Sequence, residues 1–197
     1  MIQAVPRLLS FEEFIDFDDG TELNEYELVD GRLVLMPEPD DWHEAIAAFL
    51  DFMFQLSARD AGLLLTTRKR TALYLQEAYG RRPDVAVIDK PKSYMGKRGI
   101  YTKPHMIVEI ASSNWSTDLV EKLEEYEKLG VTEYWIVEHY RGQISARWSQ
   151  REKRPKVIVL SLENGEYRRG EFIGDEVVPC LTFPALKLTV KQILEAN

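Results

Sequence analysis

A glutamate stands where a buried strand would carry a hydrocarbon side chain. Met106-Ile107-Val108-Glu109-Ile110 reads as an interior strand, and Glu109 interrupts it. An unpaired carboxylate there would cost several kcal/mol, so a fold keeps it only beside a cationic side chain or a metal ion. Glu27, Asp84 and Lys122 are three further charged residues in runs that otherwise read as buried strand or helix. If these four meet in space, they make a small metal-dependent hydrolytic site.

The chain has 197 residues, which suits one domain over 1–197 with a sizeable core. No apolar stretch approaches the ~20 residues of a membrane span, and the N-terminus lacks a secretory pattern. The lone Cys180 excludes an intrachain disulfide and a thiolate zinc site. A cytoplasmic protein with no membrane partner is therefore expected. The net charge of -8 runs against a protein that grips duplex DNA, whose surface is usually basic. Positive charge is local: Arg68-Lys69-Arg70, Arg81-Arg82, Lys92 to Arg98, and Arg151 to Arg154. These form either a basic rim around an acidic pocket or solvated loops.

Ser10-Phe11-Glu12-Glu13 has capping-box spacing and opens a helix that Gly20 should end. Tyr26 to Pro37 is a hairpin turning at Asp30-Gly31. Asp41 caps a helix through Ser57, with Trp42, Ile46, Phe49, Met53 and Leu56 on one face. Strands follow at Leu63–Thr67, Thr71–Gln76, Pro83–Ile88 and His105–Ala111, with a Lys-, Gly- and Tyr-rich loop from Asp89 to Lys103. Ser116 caps a helix from Thr117 to Leu129, closed by Gly130. Thr132–Glu138 is a strand; Gln143–Trp148, Lys156–Leu162, Glu166–Arg168 and Glu171–Ile173 suggest an antiparallel meander. Leu188 to Glu195 closes the chain as a short helix. The order predicts an α/β (α+β) fold, a central mixed sheet flanked by helices with extra C-terminal antiparallel strands. No Gly-rich phosphate loop follows a strand, which argues against a nucleotide cofactor.

Asp84 at the mouth of one strand and Glu109 in another can share a hard cation such as Mg²⁺. Such an ion polarises a phosphoryl oxygen and activates water. Asp84 alone reads equally as a turn carboxylate. Lys122, in line with Asp118 and Tyr126 on its helix, either serves the attacking water or pairs with Asp118 or Glu125 at the surface. Glu27 shares a strand face with Val29, and either assists a metal through water or pairs with Arg32 across the hairpin. His43, in the first turn of its helix, reaches a substrate phosphate or lies at the surface. Three scattered histidines make a poor zinc site.

Several segments together resemble the Uma-two restriction endonuclease family of the PD-(D/E)xK nuclease superfamily. They are Tyr26 to Gly31, Trp42-His43-Glu44, Arg82-Pro83-Asp84-Val85, Val108 to Ser112, D-x-x-x-K-x-x-x-Y from Asp118 to Tyr126, and Gly130 to Val137. The likeness spans roughly residues 8 to 195. It implies a restriction-endonuclease-like domain that cleaves DNA with Mg²⁺, for which Mn²⁺ can substitute. It assigns Asp84 and Glu109 as metal ligands, Glu27 as an auxiliary carboxylate, and Lys122 as the catalytic lysine. His43, Arg82 and Tyr126 are candidate substrate contacts. The common superfamily lysine lies two residues after the glutamate, where this chain has Ala111. Ser112-Ser113-Asn114 replaces a frequent Ser-Pro, and Glu138 an Asp. Two competing readings are a non-catalytic nuclease-like scaffold that binds nucleic acid or a protein, and a hydrolase of another phosphoester such as RNA or branched DNA. Apolar C-terminal residues such as Trp148, Phe172 and Phe183 either pack in the core, cover a sheet edge or form a homodimer face, and a homodimer would present two sites to two strands.

Overall fold

Two opposite apolar faces on one sheet determine this architecture. The computed structural model describes residues 7–21, 24–90, 98–111, 116–139 and 154–196, the side chains of 116–119 excepted. Six strands run in the order β10-β9-β8-β7-β6-β3: β3 (Leu65–Lys69), β6 (Val85–Asp89), β7 (Met106–Ala111), β8 (Glu133–Glu138), β9 (Lys156–Glu163) and β10 (Glu166–Phe172). Only β7 and β8 pair in parallel, and α3 (Ser116–Leu129) connects them. The other neighbours are antiparallel, so the expected mixed sheet is present.

Side-chain alternation splits these strands between two cores. Val85, Val87, Met106, Val108, Ile110, Trp135 and Val137 pack with Ile46, Leu50 and Phe54 of α2 (Asp41–Asp60). Ala86, Ile88, Ile107, Ala111, Tyr134 and Ile136 pack on the opposite face with Tyr126 of α3 and Val131. Glu109 shares parity with Ile107 and Ala111 and therefore faces α3. The β6–β7 register pairs Val85 with Val108; continued by one residue, it sets Asp84 opposite Glu109.

A second, four-stranded sheet holds β2 (Arg32–Leu35), β1 (Tyr26–Val29), β5 (Tyr79–Arg81) and β4 (Leu73–Gln76) in that order. The hairpin turns where predicted, with Asp30 and Gly31 both at positive φ (50° and 70°), as a type I′ turn requires. Glu27 lies opposite Val34, and Arg32 opposite Val29. β5 was not foreseen. Its Gly80 is packed so closely that a β-carbon there would stand 2.7 Å from the Phe11 ring.

Other boundaries differ for local reasons. Helix α1 (Phe11–Ile15) has the predicted capping box but ends well before Gly20. Asp18 and Asp19 there accept hydrogen bonds from the Gly20 and Thr21 amides, local bonds that compete with helix. Asp40, not Asp41, caps α2 by accepting from the His43 amide at 2.8 Å. Its buried stripe is Ile46, Leu50, Phe54 and Ala58, leaving Trp42 exposed. β10 is continuous through Gly170, where two short strands were expected. A small pair, β11 (Val177–Val178) and β12 (Leu188–Thr189), precedes α4 (Val190–Glu195), which Thr189 caps. The predicted strand Gln143–Trp148, the Ser116 cap and residues 91–97 of the Asp89–Lys103 loop lie outside the described residues.

Candidate active site

Glu27, Asp84, Glu109 and Lys122 are each no more than 6% exposed, and contacts join Glu27, Lys122 and Glu109 into one cluster. The Lys122 ammonium lies 3.2 Å from Glu27 Oε1 and 3.4 Å from Glu109 Oε2. The surface pairing open to Lys122 from sequence alone does not describe it. Tyr126, one helical turn on, donates its hydroxyl to Glu109 Oε1 at 2.8 Å. Asp84 Oδ2 accepts from the Ile110 amide at 2.7 Å, fixing this carboxylate beside the strand that carries Glu109.

His43 joins from α2. Its Nε2 stands 2.8 Å from Asp84 Oδ1, at ion-pair distance but not aligned for a hydrogen bond. Its side chain is largely buried, which disposes of the surface reading. Arg82 contributes its amide, which donates to Glu27 Oε1 at 3.1 Å. Its guanidinium donates to the carbonyls of Tyr26 and Arg70 and lies over the Phe14 ring. That side chain stitches strands together.

The residue missed from sequence is Arg81, which is 2% exposed. Its Nη1 donates to Glu27 Oε2 at 3.0 Å, while Nε and Nη2 donate to the two oxygens of Glu125 at 2.7 and 2.8 Å. The double-arginine pair was visible in the sequence, but strand alternation could have separated the two only if β5 had been recognised.

Glu109 is the electrostatically stressed member of the cluster. Burial pushes its pKa up to about 8; Lys122 and Tyr126 oppose the rise, while Asp84 and Glu27 add to it. Burial acts on Glu27 in the same sense, but there Lys122, Arg81 and the Arg82 amide outweigh it and hold the carboxyl below its ordinary value. Burial and the neighbouring Glu109 raise the Tyr126 phenol well above its usual range. Within the cluster Arg81 meets the carboxylates of Glu27, Glu121 and Glu125, and Lys122 those of Glu27 and Glu109.

Among the described residues, no group of three or more His, Cys, Asp or Glu side chains is arranged to hold an ion. The cluster instead offers Asp84 and Glu109 as a carboxylate pair, a number with which Mg²⁺ is commonly held beside water and substrate phosphates. Both oxygens of Glu27 accept, from Arg81 and the Arg82 amide, and both of Glu109 accept, from Lys122 and Tyr126.

Comparison with known proteins agrees with this architecture. The family described as "Uma2: Putative restriction endonuclease" matches residues 11–191. A crystal structure titled as a putative nuclease of DUF820 from Anabaena variabilis ATCC 29413 superimposes with a TM-score of 0.73 at 17% identity. The superposition covers 95% of this chain and 98% of that one. No curated protein matches. With nearly its whole length matched, this chain belongs to the Uma2 family of restriction-endonuclease-like proteins.

Proposed function

We propose that the protein is a divalent-metal-dependent endonuclease acting on DNA, with Mg²⁺ as the ion and Mn²⁺ able to replace it. The observation that carries this reading is a carboxylate, Glu109, buried beside Asp84 and Glu27, whose pKa burial raises first and those two carboxylates raise further, against Lys122 and Tyr126. Family membership supports nuclease chemistry. Asp84 and Glu109 would hold the ion, which when bound supplies Lewis-acid polarisation of the phosphoryl group and activation of water.

The remaining residues prepare that chemistry. Asp84 is oriented by the Ile110 amide. The Tyr126 hydroxyl holds Glu109 Oε1 and leaves Oε2 toward Lys122. The ammonium of Lys122 can donate to the attacking water and stabilise charge growing on the phosphoryl oxygens. Glu27 assists from behind that lysine, through water or through the ammonium itself. His43, whose ring stands against Asp84 from the first turn of α2, is the candidate contact to a substrate phosphate.

The test is incubation of supercoiled and linear DNA with Mg²⁺ or Mn²⁺. Cleavage is expected, along with its loss in Glu109→Ala and on chelation; cleavage undiminished by Glu109→Ala would exclude this site. The net charge of -8 favours one rival, a non-catalytic nuclease-like scaffold. Calorimetry with Mg²⁺ and Mn²⁺ separates them: no heat and no melting shift would favour the scaffold. A panel including RNA and branched DNA assigns the phosphoester.

A further inference from the structure

We propose that Arg81, clamped by Glu125, is a positioning residue that fixes Glu27 and, through it, the ammonium of Lys122. β5 lies beside β1, with Gly80 paired to Leu28, so Arg81 and Glu27 are the neighbours of that pair. The guanidinium spends Nε and Nη2 on a two-point contact with Glu125, leaving Nη1 for Glu27 Oε2. On the other oxygen of Glu27, the Arg82 amide and the Lys122 ammonium converge at 3.1 and 3.2 Å. The carboxylate is therefore held from both ends.

This bears on the lysine directly. Its ammonium is shared between Glu27 and Glu109 at 3.2 and 3.4 Å. A Glu27 free to turn would release the ammonium toward Glu109, the more strained carboxylate. Glu125 and Lys122 are both on α3, three residues apart. One helix thus supplies the lysine and, through Arg81, the anchor that holds its partner. The planar fork of arginine suits this task, whereas a lysine ammonium cannot make the same two-point contact and still reach Glu27. The catalytic consequence rests on the role proposed above for Lys122; the positional claim does not.

The test uses full-length Arg81→Lys and Glu125→Gln. Acylation of Lys122 by an amine-reactive ester, read by mass spectrometry, is compared with that of exposed Lys187. Arg81→Lys is expected to raise Lys122 labelling several-fold, with Lys187 labelling and amide exchange in β8 unchanged; Glu125→Gln should move it less, in the same direction. In the Mn²⁺ cleavage assay kcat should fall about tenfold with KM nearly constant, the loss expected for one charge-assisted hydrogen bond. Lys122 labelling at the wild-type level in both variants would overturn the proposal. If Arg81→Lys does not fold, Glu125→Gln decides by the same labelling. If the wild-type protein cleaves nothing, the nuclease reading fails while the labelling still decides the position of Lys122.

Discussion

Two buried glutamates show why burial alone does not identify a functional carboxylate. Glu133 is fully buried in β8, yet it accepts from Trp135 Nε1, the Leu181 and Thr182 amides and the Thr182 hydroxyl. Those neutral donors anchor the 180–183 turn and satisfy the charge. Glu109 has one hydroxyl and a shared ammonium, with two carboxylates nearby. Its pKa, about 8 in the fold, exceeds the ordinary 4.5. Between these values the folded state holds the proton more tightly than the unfolded chain does, so stability must fall as pH rises. The contribution is complete below about 4.5 and lost as pH passes through about 8. Melting curves from pH 5 to 9 without metal should show this decline, and Glu109→Gln should flatten it. Mn²⁺ should restore stability most at the high end, because an ion favours the carboxylate. Calorimetry near pH 7 in buffers of different ionisation enthalpy should accordingly detect proton release on binding.

Elements matter here because each delivers one or two of these side chains. Asp40 caps α2 through the His43 amide, so Asp40→Ala should lower stability by about 1 kcal/mol, measurable by urea unfolding. Its effect on cleavage should exceed that loss, since His43 rides on the turn being capped. β5 makes a sharper case. Gly80→Ala would drive a methyl into the Phe11 ring; a destabilisation of about 1–3 kcal/mol is expected for such overpacking, together with displacement of Arg81. Sequence patterns exposed α2, β7, α3 and β8 because each has a long apolar face. They exposed Glu109 and Asp84 because a charge breaks the pattern. β5 stayed hidden because Tyr79-Gly80-Arg81 is too short to alternate, and its glycine is explained only by a ring brought from α1. For the same reason Arg82 seemed the natural site arginine: telling it from Arg81 needs the register of a strand that local sequence does not announce.

At the scale of the whole molecule, the charge of -8 sets how a nucleic acid can be held. The arginines around the pocket are already engaged: Arg81 by Glu27 and Glu125, Arg82 by backbone carbonyls, and Arg70 by Glu25. Near them the accessible carboxylates of Asp40, Glu44 and Glu121 would repel a phosphodiester chain. Binding of DNA should therefore depend on the divalent ion more than on a basic surface. Fluorescence anisotropy with a labelled duplex should show weak association in EDTA at ordinary salt. A marked gain is expected with Ca²⁺, a hard oxygen-seeking cation suited to the same carboxylates. Asp84→Asn should abolish that gain, since an amide neither carries the charge nor binds such an ion as well. The salt dependence should also be shallow, because the arginines described around the site are held by protein groups and do not displace counterions from phosphates. Tight association in EDTA with a steep salt slope would place the binding surface elsewhere, and the acidic pocket would no longer explain how this chain meets its substrate.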